Sequence, residues 1–313
     1  MPHANLVHFD DVEAEVIDRG PLRGRRQRLG AAAGMHRAGV SRYVLGPGEQ
    51  AMPPHVHADE EEHVYVLAGS GLSWQDGRTW EVRAGDAIVH PAQGAAHTYV
   101  AGADGLDVLI FGTGSDTGMT WLPRSRSWWM GPRWLPDDGP SPFTREADLG
   151  PLELPEPEAG QCPFVASRAT TEEHGSDRPG YHERWWRLGD AAGSRDAGLG
   201  VGVLEPGALT CPPHWHGLEE ECFVVLEGDG DALIDDEVHP VRPGSVLGCP
   251  PGGIAHALRG GPAGTTYLVW GTRIPGDYAY FPRSRKLSFA NGLHVRVEPV
   301  DYFDGEDDQH GSM

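Results

Sequence analysis

Apolar residues occur along this chain in short runs, each closed by glycine or proline. Residues 64–67 and 223–226 are β-branched and aromatic runs followed by Gly-x-Gly turns, and residues 106–111 and 266–270 are further runs of the same kind. Runs of this length, spaced about 8–12 residues apart with turn residues between them, predict the strands of a β-sandwich or barrel. No long stretch has a helical period. The pattern therefore predicts an all-β chain.

The whole pattern is duplicated at an offset of 159 residues. Placing residues 47–71 over residues 206–230 without a gap gives 13 identities in 25 positions. Between the copies, residues 132–163 are rich in proline and acidic residues, and residues 149–160 have neither a helical nor a strand period, which is typical of a linker. We predict a tandem duplication with its boundary near residue 155, giving the units 1–155 and 156–313.

Composition excludes several classes of partner. A net charge of −21 argues against nucleic acid and against an anionic membrane surface, because both require a positive binding surface. No apolar run approaches the ~18 residues of a spanning helix, and residues 1–11 lack the features of a signal peptide. The four cysteines all lie in the second half, so we expect reduced thiols rather than a disulfide framework. These features favour a cytoplasmic protein.

Histidines and a glutamate recur with the spacing of metal ligands. His55 and His57 are two residues apart and share one face of a strand, Glu62 follows after a turn, and His97 arrives from a later strand. Three imidazoles and one carboxylate suit a divalent Fe, Mn, Ni, Co or Zn ion and leave positions for water or substrate. The same set returns in the second copy, which predicts up to two metal ions per chain, with the second set consisting of His214, His216, Glu221 and His256.

The spacing of these residues resembles the two conserved motifs of the cupin superfamily. The first copy reads Gly48-x6-His55-x-His57-x4-Glu62-x6-Gly69, then Gly85-x5-Pro91-x2-Gly94-x2-His97. The second reads Gly207-x6-His214-x-His216-x4-Glu221-x6-Gly228, then Gly244-x5-Pro250-x-Gly252-x3-His256. The chain thus resembles a bicupin. The resemblance implies two tandem double-stranded β-helix (jelly-roll) barrels, an N-terminal cupin domain (1–155) and a C-terminal one (156–313), each with a metal among three histidines and a glutamate.

Two classes of function remain open. The first is a metal-dependent enzyme of the dioxygenase or decarboxylase type, an oxidoreductase acting on a small polar or aromatic compound, in which Glu62 and Glu221 are also the candidates for a catalytic base. The second is a non-catalytic binding protein for a small molecule or a metal, or a cupin isomerase or hydrolase. A homo-oligomer is possible in either class. A solvent-connected cavity beside the metal favours the enzyme.

Residues next to the ligands are expected to have structural roles. The acids Glu60, Glu61, Glu219 and Glu220 are predicted to be exposed turn residues, with the alternative that one of them orients a ligand imidazole. His63 and Cys222 are predicted to face away from the metal. His90 and Cys249 are predicted to be buried packing residues, with a place at the cavity mouth as the alternative.

Overall fold

The computed structural model describes residues 3–115, 118–131, 133–135 and 139–306. Its described part is mostly β, which confirms the predicted class. The elements of the first half are β1 (Leu6–His8), β2 (Glu15–Arg19), β3 (Leu22–Gln27), α1 (Leu29–Ala32), β4 (Gly39–Leu45), β5 (Val56–His57), β6 (Glu62–Gln75), β7 (Arg78–Arg83), β8 (Ala87–His90), β9 (His97–Gly112), β10 (Met119–Leu122), β11 (Ser127–Met130), β12 (Arg133–Leu135) and α2 (Pro142–Asp148).

The second half repeats this order. Its elements are β13 (Val165–Ala166), β14 (Glu173–Arg178), β15 (Tyr181–Trp186), α3 (Leu188–Ala191), β16 (Ala197–Leu204), β17 (Trp215–His216), β18 (Glu221–Glu227), β19 (Gly230–Ile234), β20 (Glu237–Val241), β21 (Ser245–Cys249), β22 (His256–Gly260), β23 (Thr265–Thr272), β24 (Tyr278–Phe281), β25 (Lys286–Phe289) and β26 (His294–Arg296). Among the residues described, no helix is both long and apolar enough to span a membrane.

Each half folds into an antiparallel barrel closed by bent strands. In the first barrel the long strands β6 and β9 pair along most of their length, with register shifts beside Gly69 where both strands bend. Gly69 has a φ of +79°, and a Cβ there would lie 2.2 Å from the carbonyl oxygen of Gly105, so the bend requires glycine. Gly228 takes the same place in the second barrel, 2.3 Å from the carbonyl oxygen of Gly264 by the same construction. The two predicted tandem barrels are confirmed.

The barrels pack against each other and exchange strands. The short strand β1, from the start of the chain, pairs with β21 of the second barrel, and β13 pairs with β8 of the first. A central apolar cluster lies between the two large sheets, where Phe111 stacks on Trp270 with ring centroids 5.6 Å apart. Two further clusters fill the barrel interiors. The boundary near residue 155 stays a prediction about the sequence units.

The prediction of exposed turn acids is wrong for all four glutamates, because Glu60 and Glu219 are half-buried and Glu61 and Glu220 are buried in reciprocal contacts between the barrels. Glu61 and Glu220 are each only 1% exposed. The carboxylate of Glu220 accepts hydrogen bonds from the backbone N–H groups of His36, Arg37 and Ala38 at 2.7–3.3 Å. These donors belong to the other barrel. Sequence pattern alone does not reveal such burial, because the partners lie more than 180 residues away.

Glu61 makes the matching contacts in the opposite direction. It accepts hydrogen bonds from the N–H groups of Arg195 and Asp196 and from the Ser194 hydroxyl, which lies 2.6 Å from its Oε1. His63 faces away from the ligand set, as predicted, but it is buried in this interface, 2.8 Å from Oε1 of Glu61. Burial raises the pKa of Glu61, but the hydrogen bonds from His63, Ser194 and Arg195 outweigh it and lower that pKa to about 2.

Candidate metal centres

The strand pattern brings the first predicted ligand set together inside the first barrel. His55 and His97 form a two-way backbone bridge, with N–H to O distances of 3.1 and 2.9 Å. His57 ends β5, and Glu62 begins β6. Oε1 of Glu62 lies 3.2 Å from Nε2 of His97, and its Oε2 lies 3.9 and 3.5 Å from Nε2 of His55 and His57. One ligand atom from each of these four side chains lies within 4.8 Å of the other three.

In His55 and His97, the hydrogen bond made by Nδ1 determines the direction in which Nε2 points. Nδ1 of His55 lies 3.0 Å from the carbonyl oxygen of Pro53, and Nδ1 of His97 lies 3.1 Å from that of Ala95. Because a carbonyl can only accept, both Nδ1 atoms carry the proton and both Nε2 lone pairs face the centre. Nε2 of His57 is buried without a hydrogen-bond partner in the described part of the chain. Such a convergent set fits a divalent transition metal ion.

The second ligand set is similar, but only His214, His216 and Glu221 have ligand atoms that all lie within 4.8 Å of one another, and His256 joins them through Glu221. His214 and His256 form the equivalent backbone bridge, and their Nδ1 atoms lie 3.1 and 3.0 Å from the carbonyl oxygens of Pro212 and Ile254. Nε2 of His256 lies 2.9 Å from Oε2 of Glu221. Nε2 of His214 and Nε2 of His216 are 3.1 Å apart. Nε2 of each of these two histidines also faces Oε2 of Glu221, at 3.9 and 3.4 Å, so this set also fits a divalent transition metal ion.

Two carboxylates lie beside Nδ1 of His216, on the side of the ring away from the other ligands. Oδ2 of Asp277 lies 2.6 Å from Nδ1 of His216, and Oε2 of Glu219 lies 3.7 Å from it. Burial lowers the pKa of His216, but Glu221 and Asp277 outweigh it and raise that pKa to about 9. In the first centre His57 contacts Thr120 at 3.2 Å and Glu60 at 3.5 Å instead. Glu60 and Glu219 therefore lie near the outer nitrogens of two ligand imidazoles without a hydrogen bond to them, and the alternative that one of them orients an imidazole stays a prediction.

Asp277 is a functional residue that the repeat pattern does not predict. It occupies the turn Pro275-Gly276-Asp277 after the last barrel strand, and the residue 159 positions earlier is Gly118. A search for residues repeated in both copies therefore passes over it. A carboxylate hydrogen-bonded to the outer nitrogen of a ligand histidine increases the basicity of the metal-binding nitrogen. The two centres are consequently chemically different.

Two regions of the chain match one known protein family. Residues 41–111 and 200–270 each match Cupin_2, the cupin domain. The chain is a bicupin. Comparison with curated proteins gives no match.

Solved structures of other bicupin proteins have the same architecture. The formate complex of Lactobacillus farciminis oxalate decarboxylase has a TM-score of 0.61 and 17% identity, covering 88% of this chain and 88% of that chain. Oxalate decarboxylase from Bacillus subtilis at pH 4.6 has a TM-score of 0.58 and 17% identity, covering 86% of this chain and 76% of that chain. At such identities the likeness shows the fold.

The two centres of the bicupin differ in access to solvent. The side chain of Glu62 is 7% exposed, whereas that of Glu221 is 19% exposed. Oε1 of Glu62 lies nearest His97, and its Oε2 lies nearest His55 and His57. In the second set, Oε2 of Glu221 is the oxygen nearest all three histidines. Oε1 of Glu221 lies 3.7 Å from where a Cβ of Gly271 would be. The second carboxylate therefore has one oxygen on the open side.

A groove of about 310 Å³ leads to that side of Glu221. It exists because the inner face of β16 consists of Gly198, Gly200 and Gly202, and the first two line the groove without filling it. The equivalent positions of the first barrel are Gly39, Ser41 and Tyr43. The groove is lined by Trp185, Gly198, Gly200, Glu221, Gly271 and Arg273, among others.

The first centre has a buried neighbour that the second lacks. His90 stacks on His97 with ring centroids 3.7 Å apart and an interplanar angle of 2°, and its Nε2 is hydrogen-bonded to the hydroxyl of Tyr99. Burial holds the pKa of His90 well below its usual range. Cys249 takes the equivalent position in the second barrel and is also buried. The prediction of buried packing for both residues is confirmed.

Glu183 is a buried acid inside the second barrel, and its pKa makes the stability of the protein depend on pH. Glu183 accepts a hydrogen bond from Tyr267, and burial raises its pKa from 4.5 to about 7. Because the folded-state pKa is raised, the carboxyl stabilises the fold fully below about pH 4.5, and this contribution is lost as the pH rises through about 7. We expect the free energy of unfolding of the wild type to fall by about 2–3 kcal/mol between pH 5 and 8 relative to Glu183→Gln.

Urea unfolding across this pH range measures the difference. Glu81→Gln is the matched control, because the side chain of Glu81 on β7 is exposed, and its replacement is expected to leave the pH profile of the wild type unchanged. Parallel profiles for the wild type and Glu183→Gln would show that Glu183 titrates normally.

Proposed function

We propose that this bicupin is a metal-dependent enzyme of the oxidoreductase or decarboxylase type, acting on a small polar or aromatic compound at its second centre. The observation that carries the proposal is the groove of about 310 Å³ that reaches Glu221. A closed, fully surrounded ligand set would favour a structural ion. An opening beside a ligand carboxylate instead allows a substrate to approach the reactive side of the centre.

The proposed ligands of the second centre are His214, His216, Glu221 and His256. A divalent ion held there would act as a Lewis acid toward a bound oxygen atom of the substrate. The chain contributes the rest. Asp277 orients His216, and the carbonyl oxygens of Pro212 and Ile254 orient the other two imidazoles. Contacts with His216 and His256 outweigh burial and hold the pKa of Glu221 well below its usual range, so its side chain is an ionised carboxylate, the form that both a metal ligand and a proton acceptor require.

For the first centre we propose His55, His57, Glu62 and His97 as ligands of a structural ion. All four side chains are buried or nearly so, and both oxygens of Glu62 face imidazoles. Contacts with the three histidines outweigh burial and hold the pKa of Glu62 well below its usual range. Both features fit an ion that is surrounded by its protein ligands. Under this proposal Glu62 has no role as a base.

The choice of first substrates follows from the similar structures. Oxalate decarboxylases are the proteins named among the structural neighbours, one of them in a formate complex. Small carboxylates are therefore assayed first for decarboxylation, and small catechols with dioxygen are assayed next for oxidative cleavage. Carbon dioxide release and oxygen uptake distinguish these two reaction types.

Two matched substitutions test the assignment of the base. We expect Glu221→Gln to lower turnover of the accepted substrate by at least about 100-fold, because the amide cannot accept the proton. We expect Glu62→Gln to change turnover less than about threefold. Both variants are assayed with their metal content measured in parallel, so that loss of the ion is separated from loss of the base.

Either of two results contradicts the proposal. Undiminished turnover in Glu221→Gln, with metal bound, would remove Glu221 as the base. Turnover that depends on Glu62 instead would move the reaction to the first centre.

A further inference from the structure

A small sheet rich in tryptophan projects from the first barrel. It consists of β10, β11 and β12, which we call the tryptophan arm (residues 118–131 and 133–135), and β5 joins it to the barrel. Four of the ten tryptophans of the chain lie on it. Trp128, Trp129, Met130 and Leu135 are all exposed. Exposed apolar side chains in such a contiguous set indicate an interaction surface.

One face of the arm and its outer edge are available for contact, whereas Phe143 of α2 lies against Trp129 on the other face, with ring centroids 5.8 Å apart. Trp128 lies opposite Leu135 on one face, and Trp129 lies opposite Trp134 on the other. Strand β12 is the edge of this sheet in the described part of the chain. The equivalent strands of the second barrel, β25 and β26, carry no tryptophan. The aromatic surface is therefore not a requirement of the barrel fold.

The arm is also basic in an acidic chain. Residues 118–135 contain three arginines and no aspartate or glutamate, while the whole chain has a net charge of −21. Arg126 and Arg133 are exposed. Apolar surface with positive charge at its rim favours a partner that is both aromatic and acidic.

The end of the same chain has these complementary properties. Residues 297–306, which we call the acidic tail, contain four carboxylate side chains and no basic residue. Within it Val300, Tyr302 and Phe303 are exposed, and Tyr302 is 89% exposed. A turn presents them, because the N–H of Phe303 donates to Oδ1 of Asp301 and the N–H of Asp304 donates to the carbonyl oxygen of Asp301.

We infer that the acidic tail of one copy docks on the tryptophan arm of a second copy. Within one chain Trp128 and Trp129 of the arm and Tyr302 and Phe303 of the tail are exposed, so these side chains do not cover each other internally. Reciprocal docking of two tails on two arms gives a closed two-fold dimer in which each contact is made twice. Such docking buries aromatic surface on both sides and pairs arginines with carboxylates.

Sedimentation velocity of the full-length protein tests the dimer. We expect a species of twice 33.8 kDa at micromolar concentration, and we expect added salt to raise the dimer Kd. Tyr302→Ser/Phe303→Ser is expected to raise the dimer Kd at least about tenfold, and Arg126→Glu/Arg133→Glu to do the same. All four side chains are exposed, so the variants leave the barrels folded. Val238→Ser, at an exposed apolar residue of β20, is the control and keeps the wild-type Kd.

Photo-crosslinking identifies the contact. A benzophenone amino acid at position 302, in a mixture of ¹⁴N- and ¹⁵N-labelled protein, is expected to capture an arm peptide from residues 118–135 in mixed-isotope pairs. A wild type that stays monomeric at about 100 µM overturns the inference, since such a dimer would be weaker than typical specific interfaces. A dimer that survives both double substitutions, or crosslinks confined to single-isotope pairs, overturns it as well.

Discussion

His214→Ala/His216→Ala is expected to lose one of the two metal ions per chain and to lower turnover at least about 10³-fold. Two of the three imidazoles of the proposed catalytic centre disappear, and Glu221 and His256 alone do not hold a divalent ion at micromolar concentration. Without the ion, the several kcal/mol that a Lewis acid contributes to transition-state stabilisation are lost. Elemental analysis and turnover are measured on the same preparation, taken from the native host.

His55→Ala/His57→Ala is the matched variant in the first centre. It is expected to lose the other ion, to unfold at lower temperature because a structural ion stabilises only the folded state, and to keep turnover within about threefold at low temperature. Wild-type protein free of transition metal would contradict the assignment of both centres. So would a metal content that neither pair of substitutions lowers.

The positions of the eight proposed ligands could be predicted because duplication repeats them. His55 and His214 stand at the same offset as the other ligand pairs, and the period of two along a strand places His57 and His216 on the same side. The structure places His55, His57, Glu62 and His97 within 4.8 Å of one another and does the same for His214, His216 and Glu221, while the assignment of all eight residues as ligands stays a prediction. Strand periodicity and glycine-rich turns likewise predict the all-β class from local sequence, whereas the two jelly-roll barrels were implied by the resemblance of the motifs.

The features that distinguish the two centres could not be predicted in this way. Asp277 has no counterpart in the repeat, and its approach to His216 depends on where a turn folds after β23. The groove arises from side chains that are missing at Gly198 and Gly200, which in the sequence look like ordinary turn or strand glycines. Repetition reveals what the two barrels share, whereas substrate access depends on what they do not share.

The burial of Glu61 and Glu220 between the barrels could not be predicted for a related reason. Runs of three glutamates are usually solvated, and periodicity puts Glu61 and Glu220 on the face opposite the metal ligands without saying what covers that face. In a bicupin the covering element is the other barrel. Its backbone N–H groups at residues 36–38 and 195–196 supply the hydrogen bonds that make burial of a carboxylate possible.

Glu220→Ala is expected to lower the free energy of unfolding by about 3 kcal/mol. The substitution leaves the N–H groups of His36, Arg37 and Ala38 without their acceptor in a buried interface. Glu61→Ala is expected to cost a similar amount, since Arg195, Asp196 and Ser194 lose theirs. Urea unfolding at pH 7 measures both, and Glu237→Ala, at an exposed position, is expected to stay within about 0.5 kcal/mol of the wild type.

The pH dependence of the Glu61 contribution separates a charged acceptor from simple packing. Because the pKa of Glu61 in the folded protein is lowered from 4.5 to about 2, its stabilising effect is complete above about pH 4.5 and is lost as the pH falls toward 2. The stability difference between the wild type and Glu61→Ala is therefore expected to shrink on acidification. A difference that stays constant from pH 7 to pH 3 would mean that Glu61 acts by filling space, and the reciprocal fastening of the two barrels would then not depend on its charge.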